Sequence, residues 1–233
     1  MKQLAFVLAS GGIDSTTCLG LAIRDFGREN VRAYSVDYGQ RHKKEIECAK
    51  VVSTYFSIPH RVLKLGPQPQ SNLTDANAKI PEVSYADLGE GMSPSYHYFR
   101  NAQLLSLAAT YAVASLAKEG ELGTLYCGVH AEDAQNWAYA DCTPEFIGAM
   151  ANAVFIGTYQ KIRLKAPLLE LRKDEIVTLG TKLQVPYHLS WSCYIGGEQH
   201  CGVCPTCRAR KDGFARAGLK DPTEYADYTG VEG

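Results

Sequence analysis

The sequence lacks both an excess of charge and a long apolar run. Its 24 lysines and arginines and 25 acidic residues leave a formal net charge of −1 over 233 residues. A chain without a field of one sign has no general attraction for nucleic acid or for an anionic membrane surface. No apolar run approaches the ~20 residues that cross a bilayer as a helix. We therefore expect small-molecule partners, with no direct nucleic-acid or membrane binding.

The marks of a secreted protein are also missing. The opening MKQLAFVLASGG has a short apolar stretch that runs into a glycine turn, which predicts a buried first strand rather than a signal peptide. Four of the eight cysteines are scattered, and four are crowded near the C-terminus. Crowded cysteines in a cytosolic chain more often bind metal than form disulfides. We expect a cytoplasmic protein with a metal site.

Short apolar runs of strand length alternate with amphipathic helical patterns. Strands are predicted at residues 4–9, 31–36, 61–65, 123–129 and 162–166. Helices are predicted at residues 15–26, 41–56, 101–118, 143–160 and 172–183, with a short last helix after the cysteines. This alternation predicts an α/β fold: a Rossmann-like parallel sheet with helices on both faces and right-handed crossovers. Residues 1–190 are expected to form this domain, and residues 191–233 a small metal-binding segment with the last helix.

Residues 66–98 interrupt the alternation. They are rich in Pro, Gly, Ser, Asn and Asp and are too many for a routine connection. Because motif-like segments flank them on both sides, we expect an inserted lid over the site. A disordered segment is the alternative.

The segment SGGIDSTT, residues 10–17, joins the first strand to the first helix and is typical of a phosphate-binding loop. Gly11 and Gly12 allow a sharp turn and close approach to an anion, and the helix dipole favours negative charge at that point. The loop is not a Walker motif, since the lysine is absent. Asp14 is unexpected in an anion site unless it meets Mg²⁺ or orients a neighbour. An ordinary Gly-Gly turn with a Ser or Asp cap is the alternative.

We assign nucleotide binding to the loop and its flanks and to the turn after the second strand, where parallel strands place ligands. In that turn Tyr38 is predicted to lie against an adenine, and Arg41 or His42 to face a phosphate, although a surface turn explains the segment equally well. Asp14 and Ser15 are also predicted to act in catalysis. The predicted nucleotide contacts are Leu8, Ala9, Ser10, Gly11, Gly12, Ile13, Asp14, Ser15, Thr16, Thr17, Cys18, Tyr38, Gly39 and Gln40.

The crowded cysteines are Cys193, Cys201, Cys204 and Cys207. Four thiolates suffice for a tetrahedral site, and Zn²⁺ in a structural role is the first choice. An iron–sulfur cluster is the rival, but its usual spacing puts the fourth cysteine downstream rather than upstream. His200 is an alternative ligand. The cluster alone would also permit a zinc-ribbon binding module, although the basic stripe for RNA is absent.

Six segments together resemble the 7-cyano-7-deazaguanine synthase family of the PP-loop ATP-pyrophosphatase superfamily. They are residues 10–19, 37–42, 99–101, 128–134, 139–146 and 191–210. The resemblance implies an adenine nucleotide alpha hydrolase-like fold, a homodimer, and the cofactors ATP, Mg²⁺ and one structural Zn²⁺ per chain. It also implies that 7-carboxy-7-deazaguanine and ammonia give the 7-cyano base through an adenylated carboxylate and an amide. The sequence contains no glutaminase segment, which agrees with free ammonia as the nitrogen donor.

The substrate that the resemblance implies suggests roles for four further residues. Asp133 or Asp141 is predicted to bind the N1–H and 2-amino edge of the base, with a solvated loop acid or a cap as the alternative. Arg100 is predicted to hold the substrate carboxylate or a phosphate, or else to be a surface arginine. Lys165 is predicted to meet a phosphate, or else to snorkel at the edge of the core. Cys142 is interpreted as pocket wall rather than nucleophile, because no base lies beside it in sequence.

Two departures from the family pattern define the alternatives. Ile13 replaces a common Gln, and we expect its side chain to point away from the phosphate. His97 and Tyr98 stand where the family usually has Val-Pro at the end of the lid. A diverged member passing the acyl group to another amine, such as a protein N-terminus, is therefore an alternative. Other PP-loop amidating or thiolating enzymes are further rivals.

Overall fold

The computed structural model describes residues 3–40, 43–66, 68, 71, 73–75, 77–80, 82, 91–116 and 120–226. Five strands lie in these ranges: β1 Gln3–Leu8, β2 Val31–Asp37, β3 His60–Lys64, β4 Leu122–Tyr126 and β5 Ile162–Lys165. The helices are α1 Ile13–Phe26, α2 Lys44–Tyr55, α3 Arg100–Ala114, α4 Ala131–Ala134, α5 Pro144–Gly157, α6 Lys173–Lys182 and α7 Pro205–Arg216. None of the helices in the described ranges has the length and apolar character needed to span a membrane.

The strands form one parallel sheet in the order β3-β2-β1-β4-β5. The predicted parallel α/β fold is therefore confirmed. From β1 the chain builds outward to β2 and β3, and it then returns to the other side of β1 with β4 and β5. The order thus reverses between β1 and β4, and the connections leave a crevice at the carboxyl ends of these two strands. Such a switch point is where open α/β sheets bind ligands.

Alternate side chains of the central strands enter two cores. Phe6 and Leu125 point to the face covered by α3 and α5, where they pack with Leu105 and Ile147. Their neighbours Val7 and Tyr126 point to the opposite face, which α1, α2, α6 and α7 cover. Because the side-chain period of a strand is two, buried central strands need helices on both faces.

Local signals explain where several helices begin and end. The predicted cap of α5 is present: Thr143 Oγ1 accepts a hydrogen bond from Phe146 N at 3.3 Å, and Pro144 follows it. This helix ends at Gly157 rather than at Gln160, because Tyr159 and Gln160 have left-handed φ values of 50° and 64°. The short α4 was not predicted, since four residues are too few for a periodic pattern.

Residues 91–98, the end of the predicted lid, are tied to the segment after α4. Gly91 N donates to Asn136 O at 2.9 Å, and Ser93 N donates to Ala138 O at 3.1 Å. His97 is 4% exposed, and its Nδ1 lies 3.0 Å from Ser71 Oγ. Much of the rest of the predicted lid, including residues 83–90, falls outside the described residues.

Candidate active site

The backbone of the phosphate-loop segment turns its N–H groups inward at the crevice. Ser10 N and Gly11 N each donate to Ser15 Oγ at 3.2 Å, and Gly12 N donates to Ser10 Oγ at 3.3 Å. Ser15 is buried in the first turn of α1, so these donors converge at the positive end of the helix dipole. The arrangement is that of an anion site whose donors are preorganised by two serine hydroxyls.

Gly11 shows why this turn requires glycine. Its φ is +89°, and a Cβ there would overlap Glu45 O and lie 2.8 Å from Ala49 N. The loop therefore packs directly against the backbone of α2. On its other side, Gly11 O accepts a hydrogen bond from Trp191 N at 2.8 Å. The loop is thus held between α2 and the segment that carries the cysteines.

A buried cluster of charges lies beside the loop. Lys173 Nζ donates to both oxygens of Asp14, at 2.8 and 2.9 Å, and it lies 2.8 Å from His130 Nε2. The Nε2 of His130 is also 3.3 Å from Asp133 Oδ2. Burial would raise the pKa of Asp14, but Lys173 and His130 together with the hydrogen bonds to the carboxylate outweigh burial and hold that pKa below its usual range. The unexpected charge of Asp14 is therefore balanced by a lysine, and Asp14 orients that lysine at the loop.

The remaining residues of the loop stabilise the turn from inside. Thr16 Oγ1 donates to Gly12 O at 2.7 Å. Thr17 Oγ1 donates to Ile13 O at 2.9 Å and lies 2.7 Å from Tyr187 OH. Both threonines and Cys18 are fully buried. Ile13 packs in the core on the α1 face of the sheet and also lines the smaller cavity described below.

A cavity of about 240 Å³ opens at the carboxyl ends of β1, β2 and β4. Its walls include Leu8, Ala9, Tyr38, Gln40, Arg100, Asn101, Cys127, Val129, Cys142 and Cys193. A smaller cavity of about 130 Å³ continues over the phosphate loop towards Lys173 and Trp191. The two cavities share one wall, which is formed by Ser10, Asp14, Glu45, Asp133 and Tyr194. A ligand with two parts could therefore place one part in each cavity, with the two parts meeting at this wall.

Arg100 is the cation of the larger cavity. It begins α3, directly after Phe99, whose φ of +60° is left-handed. Burial would lower the pKa of Arg100, but Tyr38, Tyr194 and Asp141 outweigh it and raise the pKa, so the guanidinium stays charged. A half-buried, charged guanidinium facing a cavity is suited to bidentate binding of a carboxylate or phosphate.

The turn after β2 is held by its own side chains. Tyr38 N donates to Gln40 Oε1 at 2.9 Å, and Gln40 Nε2 donates to Val36 O at 3.1 Å. Gly39 has a φ of +84° and does not line either cavity, although Tyr38 and Gln40 line the larger one. Arg41 and His42 lie outside the described residues.

The four crowded cysteines meet at one point. Their sulfur atoms all lie within 4.8 Å of one another, and all four side chains are buried. Cys201 Sγ is 3.8 Å from Cys207 Sγ. A regular tetrahedron with metal–sulfur bonds of ~2.3 Å has edges of about 3.8 Å, so the spacing fits a Cys₄ metal site. Cys201 Sγ accepts N–H bonds from Val203 and Cys204, at 3.4 and 3.3 Å, which suits a thiolate.

His200 does not belong to this metal site. Its Nε2 accepts a hydrogen bond from Ser192 N at 3.0 Å, and its ring packs on Trp191 with centroids 4.2 Å apart. The alternative in which His200 replaces a cysteine ligand is therefore wrong.

Comparison with known proteins supplies the family. The family model described as "Queuosine biosynthesis protein QueC" matches residues 4–218. This chain belongs to the QueC family. It is 44% identical over 227 residues to a 7-cyano-7-deazaguanine synthase of Oceanobacillus iheyensis, with 95% of this chain and 97% of that protein covered. It is 40% identical over 236 residues to a protein of the same name from Thermoplasma volcanium, with 98% and 93% covered.

The QueC-family chain also shares its fold with a solved structure of low sequence identity. The U34-tRNA thiolase NcsA from Methanococcus maripaludis, solved with its [4Fe-4S] cluster, aligns with a TM-score of 0.50 and 14% identity. The alignment covers 99% of this chain and 76% of that chain. At this identity the likeness supports the fold alone. The family inferred from the six sequence segments is confirmed by the relatives and the family model together.

The structure gives Asp141 a different contact from the one predicted. Asp141 is 1% exposed, and its Oδ2 accepts a hydrogen bond from Asn101 N at 3.0 Å, at the first turn of α3. Burial raises its pKa, and the Asn101 N–H and Arg100 offset part of that rise. Asp141 lines neither cavity, whereas Asp133 lines both. Of the two aspartates, Asp133 is the one that lines the cavities.

Lys165 is not brought to the phosphate loop. Its Nζ bonds Asp25 Oδ2 and Tyr126 OH, each at 3.2 Å, on the face covered by α1. It lines neither cavity. The prediction that Lys165 meets a phosphate is corrected: Lys173 provides the ammonium group beside the loop.

Sequence reasoning missed three residues of the site: Glu45, His130 and Lys173. Each lies at the beginning of a helix or just before one, on the carboxyl side of the sheet. That position was the available signal, because helix N-termini meet at the carboxyl edge of a parallel sheet. Nothing in the local sequence distinguishes Lys173 from other lysines of amphipathic helices.

Proposed function

We propose that this chain converts 7-carboxy-7-deazaguanine and ammonia to 7-cyano-7-deazaguanine at the expense of ATP. One observation carries the proposal: a cavity of the size of a bicyclic base opens directly onto a preorganised anion site. Because the two cavities share a wall, a carboxylate in the larger one can reach the α-phosphate of a nucleotide in the smaller one. The relatives at 40–44% identity carry the name of this activity.

ATP would bind with its phosphates on the loop N–H groups of Ser10, Gly11 and Gly12. The hydroxyls of Ser10 and Ser15 accept hydrogen bonds from these groups in the structure, and a phosphate oxygen can take over as acceptor. Lys173 would add an ammonium group oriented by Asp14. Tyr38 lines the larger cavity, which the deazaguanine acid would occupy, so its predicted contact with the adenine does not fit this arrangement. Mg²⁺ would come with the phosphates and would balance part of their charge.

The deazaguanine acid would lie in the larger cavity. Arg100 keeps its charge there and suits the carboxylate of the substrate. Asp133 provides an acceptor for the N1–H and 2-amino edge of the base. The substrate carboxylate and the N1–H and 2-amino edge are both polar, and their burial requires hydrogen-bonding partners such as Arg100 and Asp133. Cys127 and Cys142 contribute apolar wall, because burial raises the pKa of both thiols, to about 12 for Cys127.

The reaction uses the anion site twice. A carboxylate oxygen of the substrate attacks the α-phosphate, pyrophosphate leaves, and ammonia displaces AMP to give the amide. The amide oxygen then attacks the α-phosphate of a second ATP, and a second pyrophosphate leaves. The nitrile forms as the amide nitrogen loses its two protons to water and the C–O bond breaks, with its electron pair leaving on AMP. Each AMP carries away one oxygen of the original carboxylate. The loop N–H groups and Lys173 stabilise the charge that develops on the phosphate in both activations.

The cysteine centre is proposed to hold one structural Zn²⁺ per chain. Its sulfur spacing fits, it has no open position among the four thiolates, and it is buried. An iron–sulfur cluster is the competing content, and metal analysis distinguishes the two. The homodimer, the cytoplasmic location and the lack of a nucleic-acid partner stay predictions.

Mass spectrometry of the products tests the function. The protein is incubated with 7-carboxy-7-deazaguanine, ammonium and ATP-Mg²⁺, and we expect the nitrile together with AMP. With ¹⁸O in the substrate carboxylate, both oxygens should be found in AMP. The amide as final product, or transfer of the acyl group to another amine, would instead support a diverged or merely amidating enzyme. A metal-loaded protein that releases no AMP would refute the proposal.

A further inference from the structure

Glu45 is an acid of the site to which neither phosphate binding nor base recognition gives a role. It lies in the first turn of α2, and its side chain lines both cavities. The backbone of the same residue contacts Gly11 of the loop, so its position relative to the phosphate site is held by close packing. Glu45 therefore faces the place where the substrate carbonyl and the α-phosphate would meet.

The two other acids on the shared wall are engaged with cationic or imidazole groups. Both oxygens of Asp14 accept from Lys173 Nζ, at 2.8 and 2.9 Å. Asp133 Oδ2 lies 3.3 Å from His130 Nε2. A carboxylate whose charge is stabilised in this way is a weak proton acceptor. Glu45 forms no such ion pair with the residues that the structure describes, although the charge of Arg100 acts on it.

The surroundings of Glu45 favour proton exchange near neutral pH. Burial raises the pKa of Glu45 to about 7, and the charge of Arg100 offsets part of the rise. A carboxyl with this pKa can accept and release a proton under physiological conditions. The titratable groups around it are Arg100 of α3, Tyr38 after β2, Asp14 of α1, Asp133 of α4, Lys173 of α6, Tyr194 of the cysteine segment, and Lys44, Glu47 and Cys48 on its own helix.

We propose that Glu45 is the catalytic base that accepts a proton from ammonium before nitrogen attacks the adenylated carboxylate; this role rests on the function proposed above. Ammonium has no lone pair and outnumbers ammonia at neutral pH, so one proton must leave first. Glu45 accepts it, and the nitrogen lone pair forms the bond to the acyl carbon. The C–O bond to AMP then breaks, and its electron pair leaves on the AMP phosphate. The second surplus proton passes from nitrogen to water as the amide forms.

The variant Glu45→Gln tests this role, because it keeps the size of the side chain and removes the base. In the presence of the deazaguanine acid and the absence of ammonium, Glu45→Gln should exchange labelled pyrophosphate into ATP within a few-fold of the wild-type rate. Hydroxylamine is neutral at pH 7, so it should trap the adenylate as the hydroxamate at a near-wild-type rate. With ammonium at pH 7, amide formation should fall by about 10²–10⁴-fold, the usual contribution of a general base. The deficit should shrink as pH rises and free ammonia increases.

Glu47→Gln is the matched control, since Glu47 is exposed on the same helix, and all three activities should be unchanged. Amide formation by Glu45→Gln at the wild-type rate at pH 7, with exchange intact, would overturn the role of Glu45 and leave the proposed function standing. Equal loss of exchange, hydroxamate and amide would overturn it as well, because Glu45 would then serve adenylation or folding. Absence of exchange in the wild-type protein would defeat the proposed function and this role together.

Discussion

Replacement of Lys173 by methionine should lower both the stability of the fold and the affinity of the phosphate site. The lysine side chain is 8% exposed and its partner Asp14 is 25% exposed. Removing one member of a buried ion pair costs about 3–5 kcal/mol. Because water reaches part of Asp14, we expect a loss near the lower end, ~3 kcal/mol. Methionine keeps the apolar stem that packs against Gly213 of α7, so the loss reports the charge rather than a cavity.

The pair Lys173→Met and Asp14→Asn forms a double-mutant cycle. Each single variant leaves a buried charge without its partner, whereas the double variant leaves neither. The double variant should therefore be more stable than the sum of the single effects predicts, by about 2 kcal/mol, within the usual range for contacting residues. Free energies of unfolding from urea titrations at pH 7 measure the cycle. Lys182→Met, on the exposed end of the same helix, is the control and should change little.

The ion pair also predicts a dependence on pH. The pKa of Asp14 is lowered in the folded state, so its contribution to stability is complete above the ordinary carboxyl pKa and is lost as pH falls through the folded-state value. Lys173→Met should therefore lose less stability than the wild type on acidification. The reasoning would be refuted by additive single effects, or by a Lys173→Met variant that keeps wild-type stability and wild-type pyrophosphate exchange.

Four further predictions concern other parts of the site. Gly11→Ala should abolish ATP-dependent exchange and destabilise the fold by at least ~2 kcal/mol, because the position needs φ of +89° and has no room for Cβ; calorimetry and the exchange assay measure both, and a fully active variant would contradict the close packing. Asp133→Asn should raise the KM for the deazaguanine acid about tenfold or more, with an unchanged KM counting against base recognition. Asp141→Asn should instead cost roughly 1 kcal/mol of stability with little change in KM, as expected for a residue that caps α3. Cys201→Ser should lose the metal, measured by elemental analysis as about one zinc per wild-type chain, and abundant iron in the wild type would reverse the assignment.

The local parts of the site could be predicted from the sequence. The phosphate loop is a contiguous segment whose strand, glycines and helix start all specify the same turn. The four cysteines are close in sequence, and their spacing alone brings them to one point. The parallel sheet followed from the alternation of elements, which is a property of the whole chain.

The parts that depend on tertiary contacts could not be predicted. Lys165 ends β5 and Lys173 begins α6, but the pleat directs Lys165 to the α1 face, towards Asp25. Lys173 reaches Asp14 only because α6 packs against α1, and no sequence pattern specifies that crossing. Asp141 and Asp133 are equivalent as loop acids in sequence. Only the tertiary structure distinguishes them, because Asp141 caps the first turn of α3, whereas Asp133 lines the cavities.

The contacts of the phosphate loop have a consequence for the order in which the chain is made. The loop leaves the ribosome well before Lys173, the ammonium partner of Asp14, which follows 159 residues later. Trp191, which donates to Gly11 O, comes later still. Before these residues emerge, the carboxylate of Asp14 has no ammonium and the loop has one of its two flanking walls. A nascent chain stalled before α6 would therefore expose an unfinished anion site, and nucleotide affinity should arise only after Lys173 and Trp191 have been synthesised.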